Sequence, residues 1–482
     1  MTVTPLCANL FQDCKELHQF LLVFKQTALQ KNQTKILSIS LEIPPVDPLA
    51  VLSAIAKPGE LHFYFEKAGE GEAIAAIDTA ASLKVKCSTA QSTGCKGEAR
   101  FFQAQQFIES VLANTISTLQ TNIPFAGPHF FCSFTFYDQP LNGDAIFPPA
   151  TIFLPRLQVS RQANRSVLVA NLAINYQSNI KVISEGVWQQ VQLIKEISKE
   201  ISSKASTYKK IISLNQTDIN NFKAAVVLSL ESIRAKELSK IVLAHAVDVI
   251  STVPFNLVDT LHNLRSRHPG CYIFSTSNGE GKNFIGASPE RLISIKDRQL
   301  MTDALAGSAP RGKTAAEDAE EANRLLSSEK ERREHQVVLD FITQRLRQLG
   351  LTPQKKTVPQ LLQLSNIQHI WTPIQAQVPE GVHPLEIVAQ LHPTPAVAGT
   401  PRDIACQQIR RLEPFERSLY AAPLGWIDRQ GNSEFVVGIR SALIDGASAR
   451  LYAGAGIVAG SDPNKELAEI QLKLQALLEA LV

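Results

Sequence analysis

The stretch "GWIDRQGNSEFVVGIRSALIDGASARLYAGAGIV", Gly425 to Val458, decides the fold class of this chain. Its apolar, β-branched runs are separated by "DRQGN" and "DGAS", short segments rich in Asp, Asn and Gly that suit tight reversals of direction. Strands joined in this way run antiparallel. The same pattern recurs upstream, where "CYIFSTS" and "NFIGASPERLISI" meet through "NGEGK". Parallel strands would need a crossover of a dozen or more residues between each pair. The expectation is therefore an α+β fold with antiparallel sheets, not a doubly wound parallel sheet.

Working outward, helices are expected after Glu317, Asp403 and Asp462, and "QTDINNFKAAVVLSLESIRA" reads as a capped helix leading into a strand that starts at Lys240. From Ile36 to about Leu168 the signals are strand-like: "ILSISLEI", "LHFYFEK", "HFFCSFTFY" and "ATIFLPRLQVS". One amphipathic helix, "ARFFQAQQFIESVLANTI", interrupts them. Residues 184–210 read as helical, "STAQSTGCKGEAR" as an exposed loop, and the polar segment from Ser308 to Glu331 as a loop able to close over a site. No internal repeat or long linker divides the chain. It is expected to form one large two-lobed domain over residues 1–482, with a β-rich part at 1–205 and a motif-bearing part at 206–482.

The 482 residues are 44% hydrophobic, enough for a large core, and the net charge is only +3 with both signs interspersed. That balance excludes a basic stripe for nucleic acid and an anionic-membrane binder, but leaves room for a small anion. The seven cysteines are scattered and form no CxxC pair, which argues against a disulfide framework and a thiolate zinc site and for a reducing compartment. The N-terminus lacks the basic-then-apolar order of a signal peptide, so a cytoplasmic location is expected.

Carboxylates stand where a core should be. In "SSEKERREHQVVLDFITQRLRQL", Val338, Ile342, Leu346 and Leu349 form a helical stripe that Glu334 joins from four residues upstream. In "AGAGIVAGSDPNKELAEIQLKLQALLEAL", Asp462 is a natural N-cap, Leu467, Ile470, Leu474 and Leu477 face inward, and Glu466, Glu469 and Lys473 run along the flank. Each acid alone fits an ordinary helix surface. Together, without soft ligands or an HExxH spacing, they suit a hard cation that keeps several waters, Mg2+. Arg440, expected on the strand face shared by Val436 and Gly438, can grip a carboxylate through two hydrogen bonds. The glycines of "YAGAGIVAG" can turn backbone N–H groups toward an anion, although close packing would also explain them.

Eight blocks in consistent order, "KIVLAHA", "NFIGASPERLI", "DALAGSAPRG", "KERREH", "IQHIWTPI", "LHPTPAVAGTPRDIA", "EFVVGIRSALI" and "LYAGAGIVAGSDPNKELAEI", resemble the chorismate-utilising enzymes, and among them the isochorismate synthases. The resemblance spans Lys240 to Val482; before it only the general layout is similar, which in this family is one α+β domain with two antiparallel sheets enclosed by helices. It implies that Lys240 is the general base activating water for attack at C2 of chorismate and Glu290 the general acid for the departing C4 hydroxyl. It implies that Glu334 and Glu469, with Glu466 nearby, hold Mg2+ against the ring carboxylate. Gly307, His369, Ala396, Arg440, Gly454, Gly456 and Lys473 would contact substrate. A free lysine titrates at roughly 10.4, so a base near neutrality needs a depression of about 3 units; the role therefore requires that Lys240 be enclosed.

Within the family, the aminating enzymes lack this lysine, and aminodeoxychorismate synthases typically carry a nucleophilic lysine where this chain has Ala306. Salicylate synthases carry a threonine where it has Ala396. The resemblance thus implies water addition, a chain acting as a monomer, and no glutamine amidotransferase subunit. Salicylate synthesis and non-catalytic chorismate binding are the alternatives. His245 departs from the family's usual arginine and, five residues from Lys240, belongs to the other strand face.

Overall fold

The structure, a computed structural model, describes residues 13–28, 34–86, 97–118, 124–140, 145–197, 212–216, 219–356 and 358–481. Among these, 21 strands form one continuous hydrogen-bonded network, and the helices pack outside it. Every ladder is antiparallel except that of Lys35–Ile43 with Thr115–Thr118. The α+β reading holds, and the expected sheets are joined. The early strand His62–Lys67 pairs with Tyr272–Ser277, and His129–Phe134 pairs with Pro423–Asp428. The part boundary near residue 205 lies outside the described residues, as do most of "STAQSTGCKGEAR" and the end of the 184–210 helix, which is described as Ile180–Ile197.

Burial explains why the chain takes these paths. Strands such as His129–Phe134 and Pro423–Asp428 are buried on both faces and are accordingly mostly apolar, with His129, Ser133 and Asp428 as buried polar exceptions. The Glu329–Gln348 helix starts at Ser328, whose side chain accepts from the Glu331 N–H, and buries Val338, Leu339, Ile342 and Leu346. The final helix, Pro463–Leu481, is capped by Asp462, whose Oδ1 accepts from the N–H groups of Asn464 and Lys465. Both helices pack on the sheet, against the Gln299–Pro310 and Ser448–Val458 strands respectively.

Four expectations need correction. The run Asn283–Ile295 is two strands, Lys282–Ser288 and Arg291–Lys296, broken at Pro289 and Glu290 because proline has no N–H for the ladder. The run Glu434–Ile444 breaks after Val437 and resumes at Ser441, with Arg440 at a left-handed φ of 48°. Arg440 therefore does not share an alternating face with Val436 and Gly438. Ser308 to Glu331 is not a loop: it holds the end of the Gln299–Pro310 strand and the helix Ala315–Ser327, closed at its start by a Thr314/Glu317 capping box. Cys406 is disulfide-bonded, a tertiary approach that spacing along the chain could not reveal.

Candidate active site

The two strand breaks are neighbours. The Val437 N–H donates to the Glu290 carbonyl at 3.1 Å, and the Ala287 N–H to the Arg440 carbonyl at 3.0 Å. Where the two ladders separate, both side chains border one cavity, also lined by Ala306, Gly307, Tyr420 and Gly454. Glu290 is 5% exposed, and burial pushes its carboxyl up to about 7, opposed by the positive charge of Lys240 and assisted by Asp303. Such a group can donate a proton near neutrality.

Arg440 is buried in the same wall, and its Nη2 donates to His369 Nε2 at 3.1 Å. No carboxylate among the described residues pairs with it. An enclosed guanidinium without a counter-ion invites an anionic ligand. Burial, together with the charges of Arg440 and Lys473, drives the His369 imidazole far below its usual range, so the ring is neutral. Because arginine has only donors, Nε2 is the acceptor; Nδ1 then carries the hydrogen and donates to Ser308 Oγ at 2.9 Å.

Lys240 opens the strand Lys240–Ser251, flanked by Ser448–Val458 on one side and Gly399–Thr400 on the other. It is 1% exposed, and its Nζ donates to Glu334 Oε1 at 2.7 Å. The enclosure required of it is present. Its amine lies behind the cavity surface, packed against Gly456: a Cβ there would stand 2.9 Å from Glu334 Oε1 and 3.2 Å from Lys240 Cε. At Gly454 a Cβ would meet the Tyr420 hydroxyl at 2.7 Å. These glycines make space. Gly307 instead supplies a φ of 79° at a break in register between Ala306 and Ser308. His245 packs on the opposite side of the strand, against Phe222.

From the last helix, Lys473 donates to Glu469 Oε1 at 2.7 Å and to the Gly454 carbonyl at 2.8 Å, and both side chains line the cavity with Glu334, Ala396 and His369. Glu466 does not line it; it is buried, 3.7 Å from Lys330 Nζ. A match to a family model described as chorismate binding enzyme covers residues 23–482 of the chain that builds this cavity. The chain belongs to the chorismate binding enzymes.

This chorismate binding enzyme is 30% identical over 460 residues to the isochorismate synthase MenF of Bacillus subtilis, a match covering 94% of this chain and 95% of that protein. It is 39% identical over 262 residues to the salicylate biosynthesis isochorismate synthase of Pseudomonas aeruginosa, which covers 54% of each. Among solved structures, the menaquinone-specific isochorismate synthase MenF of Escherichia coli superposes with a TM-score of 0.74 at 27% identity, over 97% of this chain and 99% of that one. Anthranilate synthase component I of Streptococcus pneumoniae, at 19% identity and a TM-score of 0.66, shares the fold. No helix among the described residues is long and apolar enough to cross a membrane.

The chemistry of the carboxylates tests whether a cation belongs in this enzyme. Burial and the negative charges of Glu334 and Glu469 push the carboxyls of both Glu331 and Glu466 up. A cation among these four acids would relieve that repulsion. Among the described residues no three His, Cys, Asp or Glu side chains converge into a ready-made cage, and lysines occupy oxygens of Glu334 and Glu469. An Mg2+ that keeps its waters needs only one or two protein carboxylates. The donor set fits it.

Several neighbours of the site were not singled out from sequence. Ser308 holds His369, Tyr420 and Tyr452 line the cavity in a stacked pair, and Asp303 accepts from both Arg291 and Trp371 beside Glu290. Ser308 follows the bulge glycine of "ALAGS", the one signal in the sequence that marks it.

Proposed function

We propose that this chain is an isochorismate synthase, interconverting chorismate and isochorismate by adding water at C2 with loss of the C4 hydroxyl. The observation that carries the reading is the placement of two buried titratable groups about one cavity: Lys240 behind Gly456, and Glu290 at the strand break, near enough to feel its charge. Arg440 and Lys473 would bind the carboxylates of the substrate, with His369 orienting the guanidinium. Lys240 takes a proton from water as its oxygen bonds to C2, the ring double bonds shift, and Glu290 gives its proton to the C4 oxygen as that bond breaks. A second water leaves, so atoms and charge balance.

Glu334 and Glu469 would hold Mg2+, with Glu466 and Glu331 adding negative charge nearby. When bound, the ion supplies charge neutralisation for a ring carboxylate. The long N-terminal part, and likeness to MenF proteins over nearly the whole chain, favour a quinone pathway over a siderophore pathway. We further read the chain as a monomeric cytoplasmic enzyme without an amidotransferase partner.

Incubation with chorismate and Mg2+, followed by separation of products, tests this directly. Isochorismate should accumulate to equilibrium; a reaction started with chelator should form none, and added Mg2+ should restore its formation. Anthranilate formed from ammonium would overturn the proposal, and salicylate with pyruvate would replace it by the salicylate synthase reading. Lys240→Ala should lower turnover by about 10²–10⁴-fold while chorismate still binds; a mere binding protein has no turnover to lose.

A further inference from the structure

A second cavity lies behind Lys240. It encloses about 1440 Å³, open mouth included, and Lys240 and Glu334 form part of its inner wall. Glu334 also lines the first cavity, so the hydrogen-bonded pair at 2.7 Å is the partition between the two. The outer rim is different in kind. Lys236, Glu237, Glu329, Lys330 and Arg333 are exposed and of mixed sign, which favours solvent over a particular small ligand. None of the groups suited to gripping a carboxylate in the first cavity, Arg440, His369 or Lys473, reaches this one.

We infer that the nucleophilic water reaches Lys240 through this second cavity and not through the mouth that admits the substrate. The inference rests on the proposed reaction. A ring seated against Arg440 and Lys473 occupies the first cavity, so a base behind that wall exchanges with solvent most directly on its outer side. In each turnover the attacking water, drawn from the outer side, bonds through its oxygen to C2 and gives its proton to Lys240 as in the proposed reaction. On the inner side the C4–O bond breaks, Glu290 protonates the leaving oxygen, and Glu290 recovers a proton from solvent when the product departs. Water and substrate thus enter by separate doors.

Val337 and Ala459 line the outer cavity and not the inner one. Val337→Trp and Ala459→Trp should each lower kcat by about tenfold or more while KM for chorismate stays within about twofold. Incorporation of ¹⁸O from labelled water into the C2 hydroxyl should slow in parallel, and smaller replacements at the same positions should restore both. Thermal unfolding at the wild-type temperature shows that the variants are folded. Wild-type kcat and ¹⁸O incorporation in both folded tryptophan variants would overturn the inference alone. A wild-type chain that forms no isochorismate would overturn the reaction, and the inference with it.

Discussion

Glu290 shows how burial makes a catalytic group costly to the protein that carries it. Its carboxyl, raised from the usual 4.5 to about 7, favours the protonated form in the folded chain. Its contribution is fully present below the unfolded value and is lost as pH rises through the folded one. Metal-free wild type should therefore lose on the order of 3 kcal/mol from this group between roughly pH 4.5 and 7. Glu290→Gln keeps the shape and does not titrate. The variant should unfold later than wild type at pH 8, match it more closely at pH 5, and form product about 10²–10⁴-fold more slowly; thermal denaturation at the two pH values and a product assay check all three. A variant no more stable at pH 8 than at pH 5, relative to wild type, would show that the carboxyl is not held protonated. From sequence only the family blocks singled this glutamate out. Lys240 was equally unreadable alone, because enclosure is a tertiary property.

At the level of strands and helices, periodicity located most elements and failed where the chemistry sits. An alternation rule assumes an unbroken strand, and both Glu290 and Arg440 occupy breaks. The carboxylate helices were legible, since Val338 to Leu346 and Leu467 to Leu477 declare their buried faces by spacing. What holds the base strand in place was not. Arg417, fully buried, donates to both oxygens of Glu413 and to the carbonyls of Val397 and Val242, while Glu413 also accepts from the Ala244 N–H. This pair ties the Lys240–Ser251 strand to the segment following Ala396. Arg417→Ala leaves Glu413 buried without its partner and should cost about 3–5 kcal/mol in urea denaturation. Arg417→Lys should recover little of it, because an ammonium cannot replace the planar fork. A loss below about 1 kcal/mol would mean that the pair behaves as a surface contact.

For the molecule as a whole, the class of fold was legible from turn chemistry, and the joining of the sheets was not. Strand signals at Ile36, His62, His129 and Ala150 were plain, yet nothing local says that His62–Lys67 will lie beside Tyr272–Ser277. The short parallel strand Thr115–Thr118 was hidden by a helical reading carried to Ile116, whereas the helix ends at Ala113. Because strands from both parts alternate in one network, residues 206–482 expressed alone should expose the edges of Tyr272–Ser277 and Pro423–Asp428. That fragment should aggregate and lack cooperative unfolding, and a soluble fragment with a sharp thermal transition would refute this. The ladder between Lys240–Ser251 and Ser448–Val458 carries one more implication, for synthesis in the cell. The lysine strand leaves the ribosome roughly two hundred residues before its long neighbour, so the nascent enzyme must wait, half-assembled and in need of shelter, until that neighbour has been made.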